Sequence, residues 1–239
     1  FAMRETSGNR GYCLNASEEL QKGIIDNKEA FNVTNPDTDH IARDNGTYWP
    51  SDEDLPEDIK DFKHQVQSFF DACHDFVSQK LLNCLAVGLG WDEDFFQLNH
   101  RNKAHTLRLL HYPPPPSSAN NGDDNDSNEY SIAAGEHSDY GTITLLFQDD
   151  IGGLQVLNRE NDWVNVIPIE GTIVVNIGDL LQKWTDGRYV STKHRVVQRK
   201  TSSDRYSIAC FIHPDPDTVV KDMTAIEYLM MRLNATHTY

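Results

Sequence analysis

The chain has 239 residues, 38% of them hydrophobic and 24% charged, with 10 Pro and 14 Gly. That is enough apolar material for one buried core, and it excludes collagen-like and wholly disordered classes. A formal charge of −16 repels phosphate at long range, which argues against nucleic acid or an anionic membrane surface and leaves a small molecule as the expected partner. No run of 18 apolar residues exists to span a bilayer, and Cys13, Cys73, Cys84 and Cys210 are too few and too scattered for a disulfide framework or a CxxC zinc site. The expectation is a soluble, cytoplasmic monomer in a reducing compartment.

In chain order, Phe1 to about Asp54 is polar and turn-rich and predicts irregular structure. From about residue 57 to 87, Ile59, Phe62, Val66, Phe69, Phe70, Cys73, Phe76, Val77, Leu81, Cys84 and Leu85 recur at three- and four-residue steps, and Gly88 closes the pattern. One long amphipathic helix is expected, its aromatic stripe packed on a core. Residues 1–105 thus form an irregular and helical region. Residues 106–213 then change to short β-rich runs: Thr106 to Tyr112, Tyr140 to Gln148, Leu154 to Leu157, Trp163 to Val166, Thr172 to Ile177, Tyr189 to Arg199 and Arg205 to Ile212. Strands at this spacing predict a sandwich or jelly roll, mainly β with flanking helices. Pro113 to Asn128 reads as a long solvated loop. In the tail, 214–239, Thr224 and Glu227 form a capping box ahead of a short helix carrying Ile226, Leu229, Met230 and Leu233.

Imidazole and carboxylate ligands must converge on one point, and in a strand residues i and i+2 share a face. His137 and Asp139 have this spacing; so do His213 and Asp215, but Pro214 between them suits a central strand poorly and only His237 lies downstream as a third ligand. For the first pair, His194 lies fifty-seven positions on, in the alternating run Ser191 to Val197. Two imidazoles and one carboxylate on one face of an octahedral ion leave open positions that suit iron(II), which must bind a cosubstrate and dioxygen together. Arg205 and Ser207, again two apart, offer a guanidinium fork and a hydroxyl that can grip a carboxylate, and Tyr112 could add a phenol.

This ordered combination resembles the iron(II) and 2-oxoglutarate-dependent dioxygenases, in particular the isopenicillin-N-synthase-like branch and its fungal thymine-dioxygenase-like members. The matching segments are LRLLHYP (Leu107 to Pro113), AGEHSDYGTITLLFQD (Ala134 to Asp149), GGLQV (Gly152 to Val156), VVNIGDLL (Val174 to Leu181), STKHRVV (Ser191 to Val197) and DRYSIACF (Asp204 to Phe211), with NRGY (Asn9 to Tyr12) and RLNAT (Arg232 to Thr236) at the ends. The resemblance implies a double-stranded β-helix in which His137, Asp139 and His194 hold iron(II). Arg205, Ser207 and Tyr112 would bind the far carboxylate of 2-oxoglutarate. It implies oxidation of a small organic molecule, usually by hydroxylation, coupled to decarboxylation of 2-oxoglutarate to succinate and CO2 with dioxygen as oxidant and ascorbate as a supporting reductant. It also implies that an N-terminal part ahead of Phe1 is missing.

Arg108, Tyr140 and Phe211 share the inward parity of these sites or adjoin them; two aromatics and one cation would suit a flat, polar, pyrimidine-like ring. Core packing for Phe211 and a surface charge for Arg108 are the plainer alternatives. Leu110 and Pro114 to Pro116 depart from many plant members, which argues against a flavonoid or hormone substrate. Three rivals remain: an iron oxidase of the same fold that does not use 2-oxoglutarate, a non-catalytic jelly roll that binds small molecules, and a zinc hydrolase. The last would need a general base beside the metal, and Glu136 should point to the opposite strand face.

Overall fold

The computed structural model describes residues 11–13, 19–35, 49–50, 53, 55–115, 130–199 and 203–236. Most of the expected solvated loop, and His237, lie outside the described residues.

Three of the expected strands have the bounds read from the sequence: β3 (Thr106–Tyr112), β6 (Leu154–Leu157) and β10 (Arg205–Ile212). Four are shorter than expected: β5 (Ile143–Gln148), β7 (Trp163–Asn165), β8 (Val174–Ile177) and β9 (His194–Arg199). The stretch expected to be irregular contributes β1 (Gly11–Cys13) and β2 (Glu29–Thr34), both antiparallel additions to the edge of the main sheet. A further strand that the periodicity did not reveal, β4 (Tyr130–His137), ends on the first proposed ligand. A small hairpin, β11 (Val219–Val220) with β12 (Met223–Thr224), precedes the last helix.

The strands form a six-stranded sheet in the order β1-β2-β3-β10-β5-β8 and a four-stranded sheet in the order β4-β9-β6-β7, antiparallel throughout. Alternation along β3 and β10 divides the apolar residues into two cores. One face of the large sheet sends Val33, Leu107, Leu145, Cys210 and Ile212 against the helices. The other sends Ala30, Leu110, Tyr112 and Ala209 to meet Ala133, Ala134, Leu154 and Val196 of the small sheet. Of the candidate site residues, Tyr112 lies in this second, inter-sheet space, with Arg205 opposite it in register.

The expected single helix from 57 to 87 starts later and is interrupted. After a 3-10 turn at Glu57–Ile59, α1 runs Phe62–Ala72 and widens into a π-helical segment at Cys73–Ser78. Regular geometry then resumes as α2, Gln79–Gly88. Within the widened turn, His74 Nδ1 lies 2.8 Å from Nε2 of the buried His105; a π-bulge re-aims one side chain without ending the helix. Gly88 is the last helical residue, but the left-handed stop falls at Gly90 (φ +71°). The last helix, α4 (Ala225–Thr236), begins at the expected capping box: Glu227 Oε2 accepts from the Thr224 amide and hydroxyl, each at 2.8 Å, and the Glu227 amide donates to Thr224 Oγ1 at 3.3 Å. A six-residue helix, α3 (Asp179–Trp184), is too short to leave a periodic signal. Among the described residues, no helix is long and apolar enough to cross a membrane.

Candidate metal centre and 2-oxoacid site

The small sheet brings the two histidines together. His137 at the end of β4 pairs in register with His194 at the start of β9, and their rings lie 4.2 Å apart. Each imidazole is oriented by its own backbone: His137 Nδ1 donates to the Gly135 carbonyl at 2.7 Å and His194 Nδ1 to the Thr192 carbonyl at 3.1 Å. Both Nε2 atoms are thereby left as lone-pair donors, which is how a metal-binding imidazole is normally fixed.

Asp139 reaches the same point by a different route from the one the spacing suggested. It lies beyond the end of β4, in the turn before β5, so strand alternation does not place it. The turn is held by α3: the Asp179 amide donates to the Asp139 carbonyl at 2.7 Å and the Gly178 amide to the Thr142 carbonyl at 2.9 Å. This contact needs glycine, since a Cβ on Gly178 would lie 2.1 Å from the Gly141 carbonyl oxygen. Asp139 Oδ2 accepts from Asn176 Nδ2 at 2.6 Å, and Oδ1 stands 3.6 Å from His194 Nε2. Ligand atoms of His137, Asp139 and His194 all lie within 4.8 Å of one another, the one such cluster among the described residues.

Burial, and then the neighbouring His194, push the His137 imidazole down to about 3. Burial would push the Asp139 carboxyl up. The facing His194 and His137, with hydrogen bonds from Thr144 and Asn176, outweigh it and hold the acid below its ordinary range. A neutral imidazole beside an ionised carboxylate is the protonation state that a divalent cation requires. Two imidazoles and one carboxylate fit iron(II), and the residues present supply them.

Strand register brings the candidate anchor residues Tyr112, Arg205 and Ser207 onto one face. Across β3, β10 and β5, directly opposed residues share a face: Tyr112 faces Arg205, Leu110 faces Ser207, Arg108 faces Ala209, Ser207 faces Gln148, and Phe211 faces Thr144. Arg205 is 1% exposed. Its Nε donates to the Gly152 carbonyl at 2.6 Å, Nη1 to Ser207 Oγ at 3.2 Å, and its guanidinium carbon lies 4.9 Å from the centre of the Tyr112 ring. Among the described residues, no carboxylate forms an ion pair with it. A fully buried guanidinium without an acidic partner is expensive to fold around, so its geometry fits a carboxylate that arrives from solution.

A family model described as the 2OG-Fe(II) oxygenase superfamily matches residues 103–214, the stretch that holds the triad and the arginine. Over 95% of its length the chain is 33% identical to the 2-oxoglutarate-dependent dioxygenase htyE of Aspergillus rugulosus, covering 76% of that protein. The chain belongs to the 2OG-Fe(II) oxygenase superfamily. It is also 34% identical to the 2-oxoglutarate-Fe(II) type oxidoreductase hxnY of Emericella nidulans, over 90% of this chain and 61% of that one. Among solved structures, the full-length thymine 7-hydroxylase of Neurospora crassa in complex with alpha-KG superposes with a TM-score of 0.79 at 32% identity, covering 98% of this chain and 75% of that one. The fold is therefore that of the superfamily, mainly β sheets with flanking helices, and its cofactors are iron(II) and 2-oxoglutarate.

The remaining sequence-predicted residues divide by position. Arg108 and Phe211 lie on the inter-sheet face that bears Arg205 and Ser207. Tyr140 follows Asp139 and lies beneath the guanidinium of Arg232, 4.5 Å away. The second His-x-Asp is structural: Asp215 accepts from the backbone amides of Arg101 and Asn102, at 3.1 and 2.7 Å. Glu136 pairs with Lys193 at 2.6 Å and is not available as a base at the metal. The sequence reading missed Asn176, Thr144, Gln148 and the Gly152 carbonyl, although inward parity along β5 and β8 carries three of them.

Proposed function

We propose that this protein is an iron(II)- and 2-oxoglutarate-dependent oxygenase in which His137, Asp139 and His194 hold the metal. In this reading Arg205, Ser207 and Tyr112 bind the far carboxylate of 2-oxoglutarate. The observation that carries it is the buried Arg205, with no acidic partner among the described residues, in the same inter-sheet space as the three converging ligands. Iron(II) bound there would supply the oxidising chemistry: dioxygen and 2-oxoglutarate give succinate and CO2, one oxygen atom entering succinate and the other the substrate.

The chain's own contribution is positional. Gly152 and Tyr112 hold the Arg205 fork in one orientation, and Ser207 adds a hydroxyl, so the cosubstrate is bound by a bidentate, charge-assisted pair. Gly135 and Thr192 hold the imidazoles in the ligating tautomer. Arg108 and Phe211 share the face of the anchor and Tyr140 adjoins a ligand; together they offer stacking surfaces and a hydrogen-bond donor for a pyrimidine-like ring. The Neurospora enzyme similar to this chain has been solved with thymine and with 5-formyluracil, which supports that substrate class.

The test is succinate release by anaerobically iron-loaded protein, screened over pyrimidine bases, with His194→Ala as the blank. Turnover above the substrate-free rate with at least one base is expected. No stimulation by any base overturns the substrate reading, and no succinate under any condition overturns the reaction.

A further inference from the structure

The two residues that flank Asp139 in the ligand turn, Ser138 and Tyr140, are contacted from behind by one side chain of the C-terminal helix. In α4 the capping box fixes the first turn, and Tyr228 and Arg232, four apart, share a face. Arg232 Nη1 pairs with Asp179 Oδ2 at the start of α3 and donates to the Tyr228 hydroxyl at 3.1 Å. Its Nη2 lies 3.5 Å from Ser138 Oγ, and the guanidinium covers the Tyr140 ring. Asp179 in turn accepts from Ser138 Oγ at 2.9 Å through its side chain, while its amide donates to the Asp139 carbonyl at 2.7 Å. Both backbone and side chains of the turn between two metal ligands are therefore anchored through one guanidinium–carboxylate pair. Without Arg232, Asp179 would stand as an uncompensated, largely buried negative charge directly behind Asp139.

We propose that Arg232 is a positioning residue: from the C-terminal helix it fixes the Ser138 to Tyr140 turn so that Asp139 and His137 present their ligand atoms together, making metal affinity depend on this one contact. The inference rests on the metal-centre reading above. Partners one shell out from a metal typically govern its affinity by about 10–100-fold, and Arg232 acts through Asp179 and Ser138 in that manner. It touches neither the metal position nor the 2-oxoglutarate anchor at Arg205, so its removal should weaken the metal before it weakens the cosubstrate.

The test is an anaerobic calorimetric titration of Co(II), a redox-inert stand-in, into the full chain, with the ligand-field spectrum of the bound ion as a second readout. For Arg232→Ala the Kd should rise about 10–100-fold, with altered ligand-field bands, and methylguanidinium but not sodium at equal ionic strength should restore much of the affinity. Leu229→Ala trims the packing of α4 in the ≈ 130 Å³ cavity it lines with Tyr140 and Leu180 and leaves the polar contacts in place. It should bind Co(II) as the parent does. The inference is overturned if Arg232→Ala binds within about threefold of the parent, if Leu229→Ala loses as much, or if methylguanidinium rescues nothing. Should Arg232→Ala fail to fold, Arg232→Lys decides: it keeps the charge but not the fork, and unchanged affinity and spectrum overturn the inference. Binding by the parent that His194→Ala does not abolish overturns the metal-centre reading and this inference with it. Parent binding with an unaffected Arg232→Ala overturns this inference alone.

Discussion

Replacing Arg205 with methionine separates the anchoring role from a structural one by sign. Arg205 is 1% exposed, and its guanidinium holds the Gly152 carbonyl and Ser207 without an acidic partner among the described residues. Arg205→Met leaves one buried carbonyl unsatisfied, at about 1–3 kcal/mol, and relieves the desolvation of a charge, about several kcal/mol in the other direction. Stability without ligand should therefore stay level or rise. The 2-oxoglutarate carboxylate loses a buried ionic partner, worth about 2–5 kcal/mol, so its Kd should rise by roughly 30- to 5,000-fold. Thermal unfolding reads both effects together. At 2-oxoglutarate about 100-fold above the parent Kd the parent gains about 2.7 kcal/mol, or about 5–11 °C in Tm for a chain of this size, and the variant gains no more than about 0.9 kcal/mol, or about 2–4 °C. A variant that shifts as far as the parent with 2-oxoglutarate, or whose unliganded Tm falls by more than about 10 °C, would show that the arginine is part of the framework and not a receptor.

Other outcomes follow from the same structure. The fully buried His100, hydrogen-bonded to the Phe96 carbonyl and to Thr142, is pushed by burial down to about 4. A folded value below the unfolded one gives stability that is complete above about pH 6.5 and lost as pH falls towards 4, with a ceiling of roughly 3 kcal/mol; Tm measured from pH 7 to 4 should fall less steeply in His100→Gln. His111 has the opposite sign. Burial works against it, but Glu29 and Asp204, on either side of the ring, raise its value, so its contribution is present in acid and fades as pH climbs through the raised value; a His111→Gln chain that keeps that alkaline loss would contradict this. Gly178→Ala drives a Cβ to 2.1 Å from the Gly141 carbonyl and should lower stability by about 2 kcal/mol or more, weakening metal binding as well because Gly141 is two residues from Asp139. Thr224→Ala, which removes half of the capping box, should reduce urea-unfolding stability by about 1 kcal/mol and leave metal affinity unchanged.

What the sequence disclosed depended on how locally each feature is encoded. Strands β3, β6 and β10 and the α4 cap were readable because alternation and capping act over a few residues. β4 escaped notice because Ser131, Ala133, Ala134 and Gly135 give weak β signals, β2 because its pairing partner, β3, lies about seventy residues on in the chain, and β1 because it is three residues long and pairs only with β2. The helical stripe was legible, but the widened turn at Cys73–Ser78 was not: it buries His74 and Ser78 and leaves Phe76 of the expected stripe 66% exposed. At the site, Asp139 was found for a reason the structure replaces: the turn held by α3 places it, not a strand face. His194, Arg205 and Ser207 were identifiable as residue types in an order, while their convergence is a property of register between strands. Asn176 was within reach of inward parity along β8, whereas the Gly152 carbonyl became visible only through its hydrogen bond from Arg205, and Arg232 only once α4 was docked.

The most direct measurement is anomalous scattering at the iron edge from crystals grown anaerobically with iron(II) and 2-oxoglutarate. One peak is expected, about 2 Å from Nε2 of His137 and of His194 and from a carboxylate oxygen of Asp139, with the far carboxylate of 2-oxoglutarate on Arg205. A peak elsewhere, or 2-oxoglutarate bound away from that guanidinium, would contradict the account.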